Sequence, residues 1–223
     1  MRRVEFQIGE YYHIFNRGVD QRDIFSDQYD FGRFIRGMRE FNRVEAIGSI
    51  YEKDYYNKQI SQIKRSNLLL EIGSQDSKLV DIICYCLNSN HFHFLLKQNL
   101  ANGISKFMHK LGLGYTLYFN QRYNRSGSLF QGKYKSIHIK TDDNLLRLSS
   151  YINGNSEVHG ICQAEKWQWG SYQDYLGIRQ GDMCSKEDIL EQFKSIKEYS
   201  DYTDYVIADS RQLKSELKNY YLE

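Results

Sequence analysis

The segment LVDIICYCLNSNHFHFLLK, which runs from Leu79 to Lys97, determines the centre of the fold. Residues 79–87 form an almost continuous apolar run, which is typical of a buried central strand. After the turn-forming residues 88–90, the side chains from His91 to Lys97 alternate in character. The segment therefore predicts a β-hairpin.

The second strand of this hairpin carries two histidines at positions i and i+2. Because side chains alternate along a strand, His91 and His93 share one face, and Phe92 and Phe94 are expected to face the core. Two imidazoles on one strand face can bind the same cation. The spacing alone leaves a second interpretation open, namely two unrelated histidines on a polar face.

The sequence around the hairpin predicts four more elements. Strands are indicated by β-rich or alternating residues, and helices by apolar residues at three- and four-residue spacing. These elements are a strand at Tyr11–Arg17, a helix at Gln28–Phe41, a helix at Asn102–Arg122 and a strand at Ser136–Lys140. With the hairpin between the helices, this is the split βαβ order of a ferredoxin-like α+β fold. We expect an antiparallel sheet with helices on one face and the other face open.

Three regions lie outside this order. From about residue 44 to 78 the apolar pattern decays, so we expect a long, mobile and partly disordered insertion. A further helix should begin at Thr141 or Asp142, either of which can cap it, and run to about Asn153. Charged amphipathic helices are expected near the C-terminus as an appendage. We therefore divide the chain into a domain at 1–180, which includes the insertion, and a helical extension at 181–223.

The composition of this 223-residue chain fits one sizeable core. Four cysteines are too few for a disulfide framework, and residues 1–3 are followed by polar residues where a secretory signal would be apolar. No stretch approaches the ~20 apolar residues that span a bilayer. We therefore expect a soluble, cytoplasmic protein with no membrane partner.

The helix that follows Thr141 presents a second group of polar side chains. Leu145, Leu148 and Ile152 form its apolar stripe. Arg147, Tyr151 and Asn155 follow one another on the other side, at four-residue spacing. Taken alone, Tyr151 is one of nineteen tyrosines, and a packing role is the simpler interpretation.

Several segments together resemble the HUH single-tyrosine transposases, and in particular the bacterial REP-associated tyrosine transposases. The resemblance extends over about residues 11–177. The matching segments are YHIFNRG at 12–18, NSNHFHFLL at 88–96, GYTLYFNQRYNRSGSLFQGKYKS at 114–136, YINGNSEVHG at 151–160 and WQWGSYQDYLG at 167–177. One departure is the residue after Asn155, where Ser156 stands in place of the proline that is common in the family.

The resemblance implies both the chemistry and the residues that perform it. It implies that His91, His93 and Asn155 bind a divalent metal, Mg²⁺ or Mn²⁺, and that Tyr151 attacks DNA to form a 5′-phosphotyrosine. The implied partner is single-stranded or hairpin DNA, which the enzyme cleaves and rejoins. The expected location is the bacterial cytoplasm, in association with the nucleoid, and the expected state is a monomer or homodimer.

Basic residues provide candidates for DNA binding. The net charge is only +2, but the chain contains no Asp or Glu between Lys106 and Lys140. The candidates are Arg17, Arg122, Arg125, Phe130, Lys133, Lys135 and Arg147. Among these, Phe130 would stack on a base and Arg147 would stabilise a Tyr151 phenolate. A solvated basic loop with one buried aromatic residue is equally compatible with the sequence, and the resemblance favours DNA binding.

Two alternatives remain open at this point. Cys84, Cys86, His91 and His93 offer two sulfurs and two nitrogens to a structural zinc ion, although their spacing is not that of ordinary zinc modules. The cysteines are more simply part of the buried run at 79–87. The other alternative is a domesticated DNA-binding protein that keeps the fold and no longer transposes.

Overall fold

The computed structural model describes residues 5–45, 48–64 and 77–220. Its centre is a four-stranded antiparallel sheet in the order β2-β3-β1-β4. The strands are β1 at Tyr11–Arg17, β2 at Val80–Asn88, β3 at His91–Gln98 and β4 at Lys135–Ile139. This strand order is that of a ferredoxin-like sheet, which confirms the predicted fold class.

Helices of very different length surround the sheet. The longer ones are α1 at Gln28–Glu40, α2 at Ile50–Lys64, α3 at Gly103–Arg122, α4 at Asp142–Asn153 and α8 at Ile196–Tyr220. Single helical turns form α5 at Asn155–Val158, α6 at Tyr172–Tyr175 and α7 at Glu187–Leu190. The predicted bounds of α1, α3 and α4 agree with the structure to within one or two residues.

Helices α1 and α3 cover one face of the sheet. Phe34 of α1 and Phe107 of α3 are buried there with Tyr12 of β1 and Phe94 of β3. Helix α1 begins where it does because the Asp27 side chain accepts hydrogen bonds from two backbone N–H groups of its first turn. This layer is the main core, and it fixes the sheet on which the histidines stand.

The opposite face of the sheet is only partly open. A second core forms over β2 and β3, where Leu95 packs with Ile152 of α4 and with Tyr199 and Ile207 of α8. The expectation of an open face was therefore wrong for β2 and β3, because the apolar sides of α4 and α8 are buried against these strands. Strand β4 stays exposed, as Ile137 shows with 51% of its surface accessible.

The region between β1 and β2 contains a helix that the sequence did not predict. Helix α2 occupies residues 50–64, so the expectation of irregular structure was wrong for this part of the region. Among its described side chains, Tyr51 and Tyr55 are exposed and Ile50 is buried, so the apolar pattern is weak. Ion pairs to α1 hold it instead, including Arg36 to Asp54. The remainder of the expected insertion at 65–76 lies outside the described residues.

The C-terminal segment packs on α4 through buried residues of α8. The domain boundary at residue 180 stays a prediction. No helix in the described part of the chain is long and apolar enough to cross a membrane.

Candidate active site

The register of the sheet brings the polar residues of three strands onto one face. His91 of β3 lies opposite Asn88 of β2 and opposite Arg17 of β1. His93 lies opposite Cys86 on one side and Phe15 on the other. Residues that are directly opposite in a sheet point to the same face, so all of these side chains project towards the α4 layer.

The hydrogen bonds of His91 define its tautomer. Its Nδ1 lies 2.6 Å from Asn90 Oδ1, and the Asn90 amide is oriented by donation from Nδ2 to the Gln21 carbonyl at 3.1 Å. Because an amide oxygen only accepts, Nδ1 of His91 carries the proton. The Nε2 atom therefore carries an unprotonated lone pair, which is what a metal ligand requires.

Asn88 joins His91 to Asn155 in the buried part of the site. Its Nδ2 donates to Asn155 Oδ1 at 2.6 Å and contacts His91 Nε2 at 2.9 Å. The two acceptor atoms themselves lie 3.3 Å apart. The lone pairs of both atoms thus face the Asn88 amide NH₂ group. The sequence pattern did not indicate a role for Asn88.

His93 is paired with a third histidine. His13 Nε2 of β1 and His93 Nδ1 are 2.8 Å apart, with the rings stacked at 5.1 Å. Burial lowers the pKa of His13 to about 4 and that of His93 well below its ordinary value. Both rings are therefore neutral near pH 7, and the His93 atom that remains for a ligand is Nε2.

Tyr151 reaches this cluster from α4. The helix begins at its predicted cap, where Thr141 Oγ1 accepts from the Asn144 N–H. The Tyr151 ring meets the His93 ring edge to face, with centroids 5.9 Å apart. Burial raises the pKa of Tyr151, and the nearby Asn155 side chain acts in the opposite direction.

A bend after α4 sets the position of Asn155. Gly154 ends α4, and Asn155 begins the single turn α5. A Cβ on Gly154 would lie 2.4 Å from Ile207 Cγ1 of α8, so only glycine permits this approach of the helices. Ser156, where proline is common in the family, is buried and donates to the Cys162 carbonyl at 3.3 Å.

A cleft of about 430 Å³ opens beside the histidine pair and Tyr151, whereas Asn155 is fully buried and does not line it. Its lining includes His91, His93, Tyr151 and His159 together with the cations Arg17 and Lys135. Within the described chain, no Asp or Glu lines it. The cleft is therefore suited to an anionic ligand.

The donor set fits a divalent cation. His91 Nε2 and Asn155 Oδ1 are 3.3 Å apart, close to the ~3 Å that separates two ligands of an ion at ~2.1 Å each. The Asn155 Nδ2 is buried, and no described residue accepts a hydrogen bond from it. The amide is therefore held only through its Oδ1. The Asn155 amide oxygen is a ligand type that suits Mg²⁺ and Mn²⁺, and the two imidazole nitrogens favour Mn²⁺ over the harder Mg²⁺.

Only some of the candidate DNA contacts lie at this cleft. Arg17 and Lys135 line it, and Lys135 Nζ sits over the Phe15 ring at 5.9 Å. Lys133 is exposed beside a separate groove along α3. Arg147 on α4 is paired with Asp209 of α8, so its guanidinium is committed to holding the two helices together.

The remaining candidates have structural contacts away from the cleft. Arg122 pairs with Asp27 and with the fully buried Asp30, both at 2.6 Å. Arg125 donates to Asn120 Oδ1 at 2.6 Å and to the Ser128 carbonyl at 2.9 Å, which closes the loop after α3. These two arginines are therefore withdrawn as DNA contacts.

Phe130 and the loop glycines also have local roles. Phe130 packs edge to face on Phe92, with centroids 5.8 Å apart, so its ring is partly buried against the core and lies away from the histidine cleft. Gly127 and Gly132 have φ of +82° and +79°, a backbone conformation that favours glycine. They shape the loop, and Phe130 is withdrawn together with the two arginines.

The structure gives the zinc alternative no support. The Cys84 thiol faces the Ser149 carbonyl at 3.9 Å, and the Cys86 thiol faces Asn88 Oδ1 at 3.7 Å. Burial raises the pKa of Cys86 to about 12, as expected for a thiol that packs in the core. In the described ranges, no group of three or more His, Cys, Asp or Glu residues is placed to hold a metal.

A ferredoxin-like sheet with a histidine pair facing a tyrosine helix is the arrangement of an HUH-type transposase. The family model described as IS200-like transposase matches residues 45–155, about half of the chain, including both histidines and Tyr151. The chain belongs to this family of single-tyrosine transposases.

Solved structures give an independent comparison of the fold. The chain is similar to a REP-associated tyrosine transposase bound to a REP hairpin, with a TM-score of 0.50 and 11% sequence identity. The similarity covers 79% of this chain and 85% of that chain. At this identity the comparison supports the fold alone. Comparison with curated protein sequences finds no match.

Proposed function

We propose that the protein cleaves and rejoins single-stranded DNA at hairpin-associated sites through a phosphotyrosine at Tyr151. The observation that carries this proposal is the contact between the Tyr151 and His93 rings, 5.9 Å between centroids, in a cleft whose described lining contains Arg17 and Lys135 and no Asp or Glu. Family membership supplies the reaction class, and the cleft supplies a place for one DNA strand.

His91 Nε2, His93 Nε2 and Asn155 Oδ1 are the atoms that would hold a divalent cation. When bound, Mg²⁺ or Mn²⁺ supplies Lewis-acid stabilisation of a nonbridging phosphate oxygen. The contribution of the protein is to present ligands that carry no charge. Asn90 keeps the proton of His91 on Nδ1, and burial keeps His93 uncharged. No ligand charge then cancels the attraction between the site and a phosphate.

Tyr151 is the proposed nucleophile. Its oxygen forms the bond to phosphorus as the bond from phosphorus to the 3′-oxygen breaks, which leaves a 5′-phosphotyrosine and a 3′-hydroxyl. The phenol proton is lost, and the departing 3′-oxygen gains one. Burial raises the pKa of Tyr151, so the phenol stays protonated in the resting protein and is activated only when substrate completes the site. Attack by a 3′-hydroxyl reverses the step and rejoins DNA.

Arg17 and Lys135 are the proposed contacts to the DNA backbone within the cleft. Lys133 is retained as a contact for a flanking segment, because it is exposed on the same loop region. The similar solved protein is bound to a REP hairpin, which supports a hairpin as the partner of this chain too. A cytoplasmic, nucleoid-associated location and a monomeric or homodimeric state stay predictions.

The test uses labelled single-stranded DNA that contains a hairpin, with purified protein and Mn²⁺. We expect a protein–DNA adduct that survives denaturation and that disappears in Tyr151→Phe, while DNA binding is retained. Tyr205→Phe is the matched control, because Tyr205 is 60% exposed on α8. Binding without an adduct in the wild type would refute the enzyme and favour the domesticated binding protein.

A further inference from the structure

Helix α8 brings a lysine to the edge of the cleft. Lys214 Nζ lies 3.1 Å from Nδ1 of His159, the residue that follows α5. Burial is the main cause of the lowered pKa of His91, and the positive charge of Lys214 lowers it further, so Lys214 is close enough to act on the histidine pair. Both His159 and Lys214 lie beyond residue 155, where the family match ends.

The chemistry of this contact fixes which atoms of His159 can bind a ligand. An ammonium group only donates hydrogen bonds, so His159 Nδ1 must be the acceptor. The single ring proton is then on Nε2. The His159 ring lines the cleft, with its centroid 4.7 Å from that of His91. Among the described residues nothing bonds to Nε2, so this N–H is a free donor beside the proposed ligand.

Helix α8 is anchored in a way that keeps Lys214 in place. Arg211, one turn before it, donates to the Glu157 carbonyl at 3.0 and 2.8 Å, and Glu157 belongs to α5. Asp209 pairs with Arg147 of α4. Helix α8 is thus bonded to α4, which carries Tyr151, and to α5, which carries Asn155. These contacts fix the position of α8 and so keep Lys214 beside His159.

We propose that His159 and Lys214 form a second phosphate-binding position for the DNA strand. Arg17 and Lys135 reach the cleft from the sheet, whereas these two residues reach it from the helical layer. A strand crossing the histidine pair would therefore meet donors from both layers. A polyanion is the fitting ligand, because His159 offers an N–H, Lys214 adds a positive charge, and the described residues that line the cleft include no Asp or Glu. This inference rests on the proposed function, since it assumes that the cleft binds DNA.

The test measures the affinity for a fluorescent hairpin with single-stranded tails, in EDTA and over a range of salt concentrations. Each phosphate contact contributes about 0.7 to the slope of log K against log salt for a single strand. Lys214→Gln should lower the magnitude of the slope by that amount. The control is Lys197→Gln on the same helix, since Lys197 is exposed and pairs with Asp201 at 2.7 Å. Its slope should equal that of the wild type.

His159 variants separate the two ring nitrogens. In His159→Gln the side-chain amide reaches the former Nε2 position and keeps a donor in the cleft, so affinity should stay near the wild-type value. In His159→Asn the amide reaches only the Nδ1 position, and affinity should fall about fivefold, as for one lost hydrogen bond.

Two results would overturn the inference, and they distinguish its own failure from that of the proposed function. If the wild type binds the hairpin but Lys214→Gln and Lys197→Gln have the same slope, only the second phosphate position is refuted. If the wild type binds no DNA, the proposed function fails and this inference fails with it.

Discussion

His13 Nε2 and His93 Nδ1 lie 2.8 Å apart between neighbouring strands, with His13 buried and His93 half-buried at the cleft. One of these nitrogens must donate and the other accept. If His93 binds a cation through Nε2, the proton of His93 is on Nδ1, and His13 is the acceptor that keeps it there. His13 is then a positioning residue for the metal ligand.

Replacement of His13 should therefore weaken metal binding. Partners that orient a histidine ligand are typically worth a factor of about 10–100 in metal affinity, so we expect a loss in this range for His13→Leu. His13→Gln keeps an acceptor near the Nε2 position and should retain most of the affinity. Mn²⁺ titration followed by electron paramagnetic resonance measures both variants without any activity assay. Equal Mn²⁺ affinity in His13→Leu and wild type would show that the pair is only structural.

Asn88→Asp should make the stability of the protein depend on metal. The Asn88 Nδ2 donates to Asn155 Oδ1 at 2.6 Å, and a carboxylate there would face acceptor atoms instead. We expect a lower Tm than wild type without metal and a larger rise in Tm with Mn²⁺, because the new charge repels the amide oxygen and attracts the cation. Differential scanning calorimetry in EDTA and in Mn²⁺ gives the comparison. A rise no larger than that of wild type would place the cation elsewhere.

Gly154→Ala should disturb the contact between α4 and α8. The added methyl group would lie 2.4 Å from Ile207 Cγ1, and overpacking of this kind costs about 1–3 kcal/mol in the free energy of unfolding. Urea denaturation measures the cost. In an Ile207→Ala background the same substitution should cost less, since the opposing atoms are gone. An equal cost in both backgrounds would show that helix contact is not the cause.

Arg122 should contribute to stability and not to DNA binding. Its hydrogen bonds hold the pKa of Asp27 below its ordinary value. The resulting stabilisation is present above the ordinary pKa of an aspartate and is lost as pH falls through the lowered one. Arg122→Met should therefore lower Tm at pH 7, and the difference from wild type should shrink below about pH 4. The salt slope of DNA binding should not change. A reduced slope would restore Arg122 as a phosphate contact.

The part of the site that lies on single elements could be predicted from the sequence. Alternation along β3 places His91 and His93 on one face whatever the rest of the chain does. Four-residue spacing on α4 likewise puts Tyr151 and Asn155 on one side of a helix and its extension. The ferredoxin-like order followed from the sequence of periodic segments.

The supporting residues depend on contacts between elements, so local patterns could not reveal them. His13 meets His93 only through the register of β1 with β3, and Asn88 was read as part of a turn. Lys214 is one of three lysines on a charged helix, and nothing in the local pattern sets it apart. The structural role of Arg122 could not be predicted for the same reason. A basic cluster in the sequence does not show that Arg122 pairs with the buried Asp30 of another helix.

The proposed role of Tyr151 as nucleophile is tested by locating the residue to which DNA becomes attached. After reaction with hairpin DNA and Mn²⁺, nuclease and protease digestion followed by mass spectrometry should identify one nucleotide-bearing peptide, modified at Tyr151. Attachment at any of the other eighteen tyrosines, out of nineteen in all, would contradict the account. So would DNA cleavage that leaves every tyrosine unmodified.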